Sequence, residues 1–227
     1  MRPPAPEIDT MKQHLEGIIL AAGESRRMGY PKPLLEIGGR TFIEQIAETM
    51  LAVVPRLVIV IGAHRERVRA AIPRDKRIAI AENPNYSRGQ LSSLKVGLGV
   101  VQPDSAGVIV HLGDHPMVRV ETFRAVVDSY NRTGKPIVIA RHDGRRGHPV
   151  IFDRAMFGEL MSAPEEQGAR YVVNADGSRV TYVDLDDPGI NLDLDTPSDL
   201  ACAGLPPAGA SPCTRVRKNT KGRAKPR

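Results

Sequence analysis

Short, unbroken apolar runs alternate with segments of helical spacing along most of this chain, and that alternation restricts the fold more than anything else in it. The runs are GIILAA from Gly17, RLVIVIG (Arg56 to Gly62), RIAIAEN (Arg77 to Asn83), GVIVHLGD (Gly107 to Asp114), PIVIARHD (Pro136 to Asp143), HPVIFD (His148 to Asp153) and VTYVDLD (Val180 to Asp186). A strand apolar on both sides needs cover on both faces, which a sheet gains when helices pack above and below it. Thr41 to Val53 carries Phe42, Ile43, Ile46, Ala47, Met50 and Leu51 at helical spacing, and Thr41 with Glu44 forms a capping-box pattern. Further helices are expected over His64 to Ala71, Leu91 to Val101 and Glu121 to Arg132. PIVIARHD and HPVIFD, joined by a turn at Asp143-Gly144, together read as a hairpin. The expectation is a three-layer α/β/α sandwich with a Rossmann-like, mostly parallel sheet and a late antiparallel hairpin at an insertion or edge.

The net charge of +6 is unevenly placed. Seven Lys and Arg residues and no acid lie between Ser211 and Arg227, so the rest of the chain carries about −1. This division predicts an N-terminal extension (1–16), one folded domain (17–203) and a disordered basic tail (204–227) that begins in Gly, Pro, Ala and Ser. No aromatic residue interleaves with the tail's cations to stack on bases, which argues against nucleic acid as a partner. Cys202 and Cys213 have no histidine at metal-ligand spacing and read as free thiols. The N-terminus lacks the apolar stretch of a signal peptide, and no segment approaches the roughly twenty apolar residues of a membrane span. A cytoplasmic location is expected, and either Met1 or Met11 serves as the start.

Chemistry concentrates where the apolar runs end. In GIILAAGESRRMGYPKPLL the first strand stops at a small-residue corner and meets Arg26, Arg27 and Lys32, with prolines that forbid an ordinary helix. Backbone N–H groups at Ala21, Ala22 and Gly23 can approach phosphate oxygens there while the cations neutralise their charge. The loop lacks the glycine spacing of a dinucleotide fingerprint and the Gly-Lys-Ser/Thr of a Walker loop. In ENPNYSRGQLSSLKVGL, Gly89 and the Ser92-Ser93 pair precede a helix, where each serine reads either as a cap or as a ligand contact. Asp114 in GDHP ends a strand, at the edge where α/β sheets bind ligands. His111 and His115 beside it do not converge as a helical zinc pair does. In NLDLDTPSDL, Asp193 and Asp195 face the same side of an extended segment, and one of them reads equally as a cap for a helix starting at Thr196-Pro197.

The pattern L-A-A-G-x-S-x-R-M-G-x-P-K, present from Leu20 to Lys32, resembles the signature of the MobA-like nucleotidyltransferases. GHPVIF (Gly147 to Phe152) and EEQGARYVV (Glu165 to Val173) resemble the molybdenum cofactor cytidylyltransferase branch, with Glu166 where that branch usually has Asp. The likeness spans roughly Gly17 to Ala203. It implies a nucleotide site at Leu20, Ala21, Ala22, Gly23, Arg27, Lys32, Gly89, Ser92, Ser93 and Asp114, with Arg27, Lys32 and Asp114 catalytic. It implies Mg²⁺ on Asp114 and Asp193, with Asp195 as second choice. Acceptor contacts are implied at His115, Gly147, His148 and Arg170, although His148 reads equally as a strand-end residue bonded to backbone.

The implied reaction is in-line attack of an acceptor phosphate on the α-phosphorus of an NTP with loss of pyrophosphate. Ala22, where guanylyl members tend to have glycine, points to CTP. The implied partners are CTP, a small phosphate-bearing acceptor such as molybdopterin, and a protein that takes over the cofactor product. The alternatives are cytidylyl or uridylyl transfer to a sugar or polyol phosphate and, from a different class, a nucleotide-sensing or RNA-associated module.

Overall fold

A computed structural model describes residues 14–205 apart from 193 and 203. The strands are β1 (Leu15–Ala21), β2 (Glu36–Ile37), β3 (Arg40–Thr41), β4 (Leu57–Ile61), β5 (Ile78–Glu82), β6 (Gly107–Leu112), β7 (Ile137–His142), β8 (Arg145–Asp153) and β9 (Val180–Asp184). The helices are α1 (Phe42–Leu51), α2 (Arg65–Ala71), α3 (Gln90–Leu98), α4 (Val120–Thr133), α5 (Phe157–Ser162), α6 (Arg170–Ala175) and α7 (Pro197–Cys202). Seven strands form the main sheet in the order β5-β4-β1-β6-β8-β7-β9. Every pairing is parallel except those of β8, which runs antiparallel to both β6 and β7.

The late hairpin is present, with Asp143 and Gly144 both at positive φ as a type I′ turn requires. Its second strand is not at an edge: β8 is inserted between β6 and β7, and β9 closes the sheet beyond them.

Alternate residues of each strand feed opposite faces. Ile19, Leu57, Ile59, Ile61 and Ile109 pack with Phe42, Ile46 and Met50 of α1 and Phe123 and Val126 of α4. Ile18, Val58, Val60, Val108 and Val110 pack with Leu91, Leu94 and Leu98 of α3 and Leu160 of α5. These two cores make the three layers. The α1 capping box forms as read, Glu44 N–H donating to Thr41 Oγ1 at 3.3 Å and Thr41 N–H to Glu44 Oε2 at 2.7 Å.

From β1 the chain moves one way, to β4 and β5, and later the other way, to β6. The crevice outside the carboxyl ends of β1 and β6 lies at that reversal, where open α/β sheets hold ligands. No helix of the described residues is long and apolar enough to cross a membrane. Cys202 is exposed; Cys213, residues 1–13 and the basic segment from 206 onward lie outside the described residues, as does Asp193.

Candidate active site

Two clefts open side by side over the carboxyl ends of the strands and share Leu20, Gly89 and Gln90 as a common wall. The first, of about 380 Å³, is lined by the β1 corner (Leu20, Ala21, Ala22, Gly23), by Ser25, Arg26, Arg27 and Lys32, by Gly89 and Ser93, and by Asp114 and Asp195. Residues separated by up to 175 positions of sequence therefore meet in one space. The second, of about 580 Å³, has a floor of Leu91, Leu94, Val110, Ile139, Val150, Phe152 and Val173, and a polar rim that includes Arg88, Arg146, His148, Glu165 and Arg170.

Lys32 organises the first cleft. It begins a short 3-10 turn after Pro31, its N–H donates to Ser25 Oγ at 3.0 Å, and the loop folds back so that its side chain is nearly covered. Nζ donates to Asp114 Oδ2 at 2.8 Å and to Asp195 Oδ1, while Arg27 reaches the other oxygen of Asp195 at 2.5 Å. Burial works against the Lys32 charge, but the Asp114 and Asp195 carboxylates outweigh it and raise its pKa. Burial likewise pushes the Asp114 carboxyl up, and the Lys32 ammonium with His115 more than reverses this, leaving it below the usual carboxylate range. Lys32 and Asp114 therefore both carry their charge at neutral pH.

In the NLDLDTPSDL segment, Asp195 reaches this cluster. It does not cap α7. That work falls to Thr196 and Asp199, with Asp199 N–H donating to Thr196 Oγ1 at 3.3 Å and Thr196 N–H to Asp199 Oδ2 at 2.7 Å. A second capping box thus frees the Asp195 carboxylate to face Lys32 and Arg27.

The loop after β5 closes the other side. Gly89 takes φ +107°, a conformation side chains avoid, and from there α3 starts. Ser93 lines the first cleft, but Ser92 does not. Ser92 is buried inside the helix, accepting from Asn83 Nδ2 at 2.9 Å and donating to Gly89 O at 2.8 Å. Successive helix residues point about 100° apart, and of the two serines Ser93 faces the opening. Neither serine is the N-cap, which is Gly89.

His115 is buried and lines neither cleft, with its Nε2 3.9 Å from Asp114 Oδ1. His111 Nε2 lies 2.9 Å from the His115 backbone carbonyl and ties the turn after Asp114 to β6. His111 itself packs edge-on against Phe123, 4.9 Å between ring centres. Burial keeps its imidazole well below the ordinary histidine range, and burial with the nearby His115 brings His148 down to about 4. Both rings are neutral at pH 7.

Gly147, His148 and Arg170 line the second cleft. Gly147 has a packing reason too, since a Cβ there would lie 2.3 Å from the Ile190 carbonyl oxygen. Arg170 Nε donates to Gln167 O at 3.0 Å. The turn containing Glu165 is tied to the Gly89 loop by Glu165 and Arg88, 2.6 Å apart. Ser25 and Asn83 escaped the assignment of site roles. Ser25 stands inside the cationic motif and Asn83 opens an Asn-Pro turn, a signal that marks a loop without naming a role.

The description MobA-like NTP transferase domain matches residues 17–180. The chain is similar to the molybdenum cofactor cytidylyltransferase of Escherichia coli K12, 26% identical over 189 residues that cover 83% of this chain and 95% of that one. It is similar to the nicotine blue oxidoreductase of Paenarthrobacter nicotinovorans, 31% identical over 201 residues with the same coverage. Among solved structures it resembles Rv0371c of Mycobacterium tuberculosis H37Rv, with a TM-score of 0.73, 31% identity and coverage of 84% and 96%; a structure of Rv0371c in complex with manganese superposes with a TM-score of 0.69 at 28% identity, covering 84% and 97%.

Proposed function

Since the chain belongs to the MobA-like NTP transferase family, a family of nucleotidyltransferases, we propose that it transfers CMP from CTP to a phosphate on a molybdopterin-type acceptor and releases pyrophosphate. The observation that carries this reading is the contact of two clefts, a cationic and acidic one joined to an apolar one, along Leu20, Gly89 and Gln90.

In the first cleft the triphosphate lies against the β1 corner, where small residues let it approach the backbone, with Arg27 and Lys32 neutralising its charge. An oxygen of the acceptor phosphate forms the new bond to the α-phosphorus. The bond from that phosphorus to the bridging oxygen breaks, and the electron pair leaves on pyrophosphate, whose added charge Lys32 and Arg27 stabilise. The acceptor oxygen is already anionic, so no general base and neither cysteine is required.

The donor set fits a hard divalent cation such as Mg²⁺. Two carboxylates, Asp114 and Asp195, converge on one cation already, the Lys32 ammonium. Mg²⁺ typically takes one or two carboxylates and completes its shell with water and substrate phosphate. Asp114 and Asp195 would hold it, and when bound it supplies charge neutralisation at the reacting phosphates. Arg27 and Lys32 then exchange their carboxylate partners for phosphate oxygens.

The apolar floor of the second cleft supports an acceptor with a flat ring face over a sugar or polyol phosphate, whose hydroxyls would find few partners there. Ala22 supports a pyrimidine: it is 4% exposed and lines the first cleft, and its carbonyl accepts from Ala63 N–H at 3.0 Å, so its methyl cannot withdraw. With Mg²⁺ and molybdopterin, pyrophosphate release from CTP is expected to outpace release from GTP. Equal or faster turnover of GTP would remove the base assignment, and pyrophosphate release only with a polyol phosphate would remove the acceptor assignment.

A further inference from the structure

Asn83 is 2% exposed and takes no part in the steps above, yet its hydrogen bonds admit only one polarity. The Asn85 backbone N–H can only donate, and it lies 2.9 Å from Asn83 Oδ1, which fixes the carbonyl end of the amide. The Nδ2 end therefore faces α3 and gives one proton to Ser92 Oγ at 2.9 Å and the other to Ser93 Oγ at 3.0 Å. Ser92 passes its own proton on to the Gly89 carbonyl. Ser93 lines the nucleotide cleft, and no protein acceptor takes its proton among the described residues.

From this geometry we infer that Asn83 is a positioning residue that holds Ser93 as a hydrogen-bond donor towards the nucleobase. The inference rests on the nucleotide reading of the first cleft. A hydroxyl whose oxygen is already engaged from behind presents its proton in front. It selects a base edge that offers a carbonyl oxygen or an unprotonated ring nitrogen, and it penalises an edge that offers N–H, because two facing donors leave buried groups unsatisfied. Asn83→Asp reverses the arrangement: a carboxylate only accepts, so the Ser93 proton turns back and a lone pair faces the base.

Calorimetric titration of the full chain with CTP and Mg²⁺ tests this in wild type, Asn83→Asp, Ser93→Ala and the double variant. Asn83→Asp and Ser93→Ala are each expected to weaken CTP binding by about tenfold or more, with no further loss in the double variant. Unchanged affinity in a folded Asn83→Asp protein overturns the inference, as does an equal loss on adding Asn83→Asp to Ser93→Ala, which marks a merely structural effect. If circular dichroism finds Asn83→Asp unfolded, Asn83→Ala takes its place in the cycle. It frees the Ser93 hydroxyl to rotate and is expected to lower affinity several-fold only when Ser93 is present; the same loss in both backgrounds overturns the inference. A wild-type chain that binds none of CTP, UTP, GTP and ATP sinks the nucleotide reading together with this one, whereas CTP binding indifferent to residue 83 sinks this one alone.

Discussion

Asp114→Ala is expected to leave a folded protein whose nucleotidyl transfer is slower by at least about a hundredfold, the scale on which a principal electrostatic group acts. Folding should survive because β6 is held on both sides without this side chain, by β1 through six register pairs and by β8 through four. Catalysis should not survive, since the variant keeps only Asp195 of the two carboxylates that face Lys32. The Lys32 ammonium loses the partner that most offsets its burial. Single-turnover rates at saturating CTP and Mg²⁺, with circular dichroism to verify the fold, check this. Turnover within a few-fold of wild type would refute the role of Asp114.

Lys32→Ala should be as damaging to the rate and more damaging to the free protein. Its ammonium is the cation between Asp114 and Asp195, and the Lys32 side chain is only 11% exposed. Removing it leaves two carboxylates facing each other in a partly buried space, and unpairing a buried charge typically costs on the order of 3–5 kcal/mol. Burial would then dominate at Asp114 and drive its pKa upward. Transfer is expected to fall at least about a hundredfold, because the pyrophosphate leaving group loses its innermost cation. The same variant should gain more thermal stability from added Mg²⁺ than wild type does, since the ion no longer competes with the ammonium for the carboxylates. Melting temperatures with and without Mg²⁺ measure this, and an Mg²⁺ response equal to that of wild type would contradict the competition.

Much of this arrangement is legible in the sequence. Continuous apolar runs announced the doubly covered sheet, Thr41 with Glu44 announced the start of α1, and Asp143-Gly144 announced the hairpin, because each is a local device whose residues sit within a few positions of one another. What escaped is non-local or short. The insertion of β8 between β6 and β7 depends on pairing across the sheet, which its own sequence does not encode. Helices α5 and α6 have six residues each, too few for a periodicity to stand out.

The site divides along the same line. The cationic loop and Asp114 were visible as residue types at a strand end. Which of two adjacent serines faces the cleft, and that the His115 ring turns inward, depend on how α3 and the turn after β6 pack. The choice between a capping and a liganding role for Asp195 was open in sequence because Thr196-Pro197 fits either. The capping role is taken by Asp199, four residues on. Asn83 could be read only as a turn former, since its partners Ser92 and Ser93 lie nine and ten positions away.

The central claim, transfer of a nucleotidyl group between two adjoining clefts, is tested most directly by following CTP labelled at the α-phosphate in the presence of Mg²⁺, protein and molybdopterin. The expected result is label appearing in the acceptor in step with pyrophosphate, one for one. Release of labelled CMP without labelled acceptor, or turnover of a coloured heterocycle such as nicotine blue with no pyrophosphate at all, would contradict it.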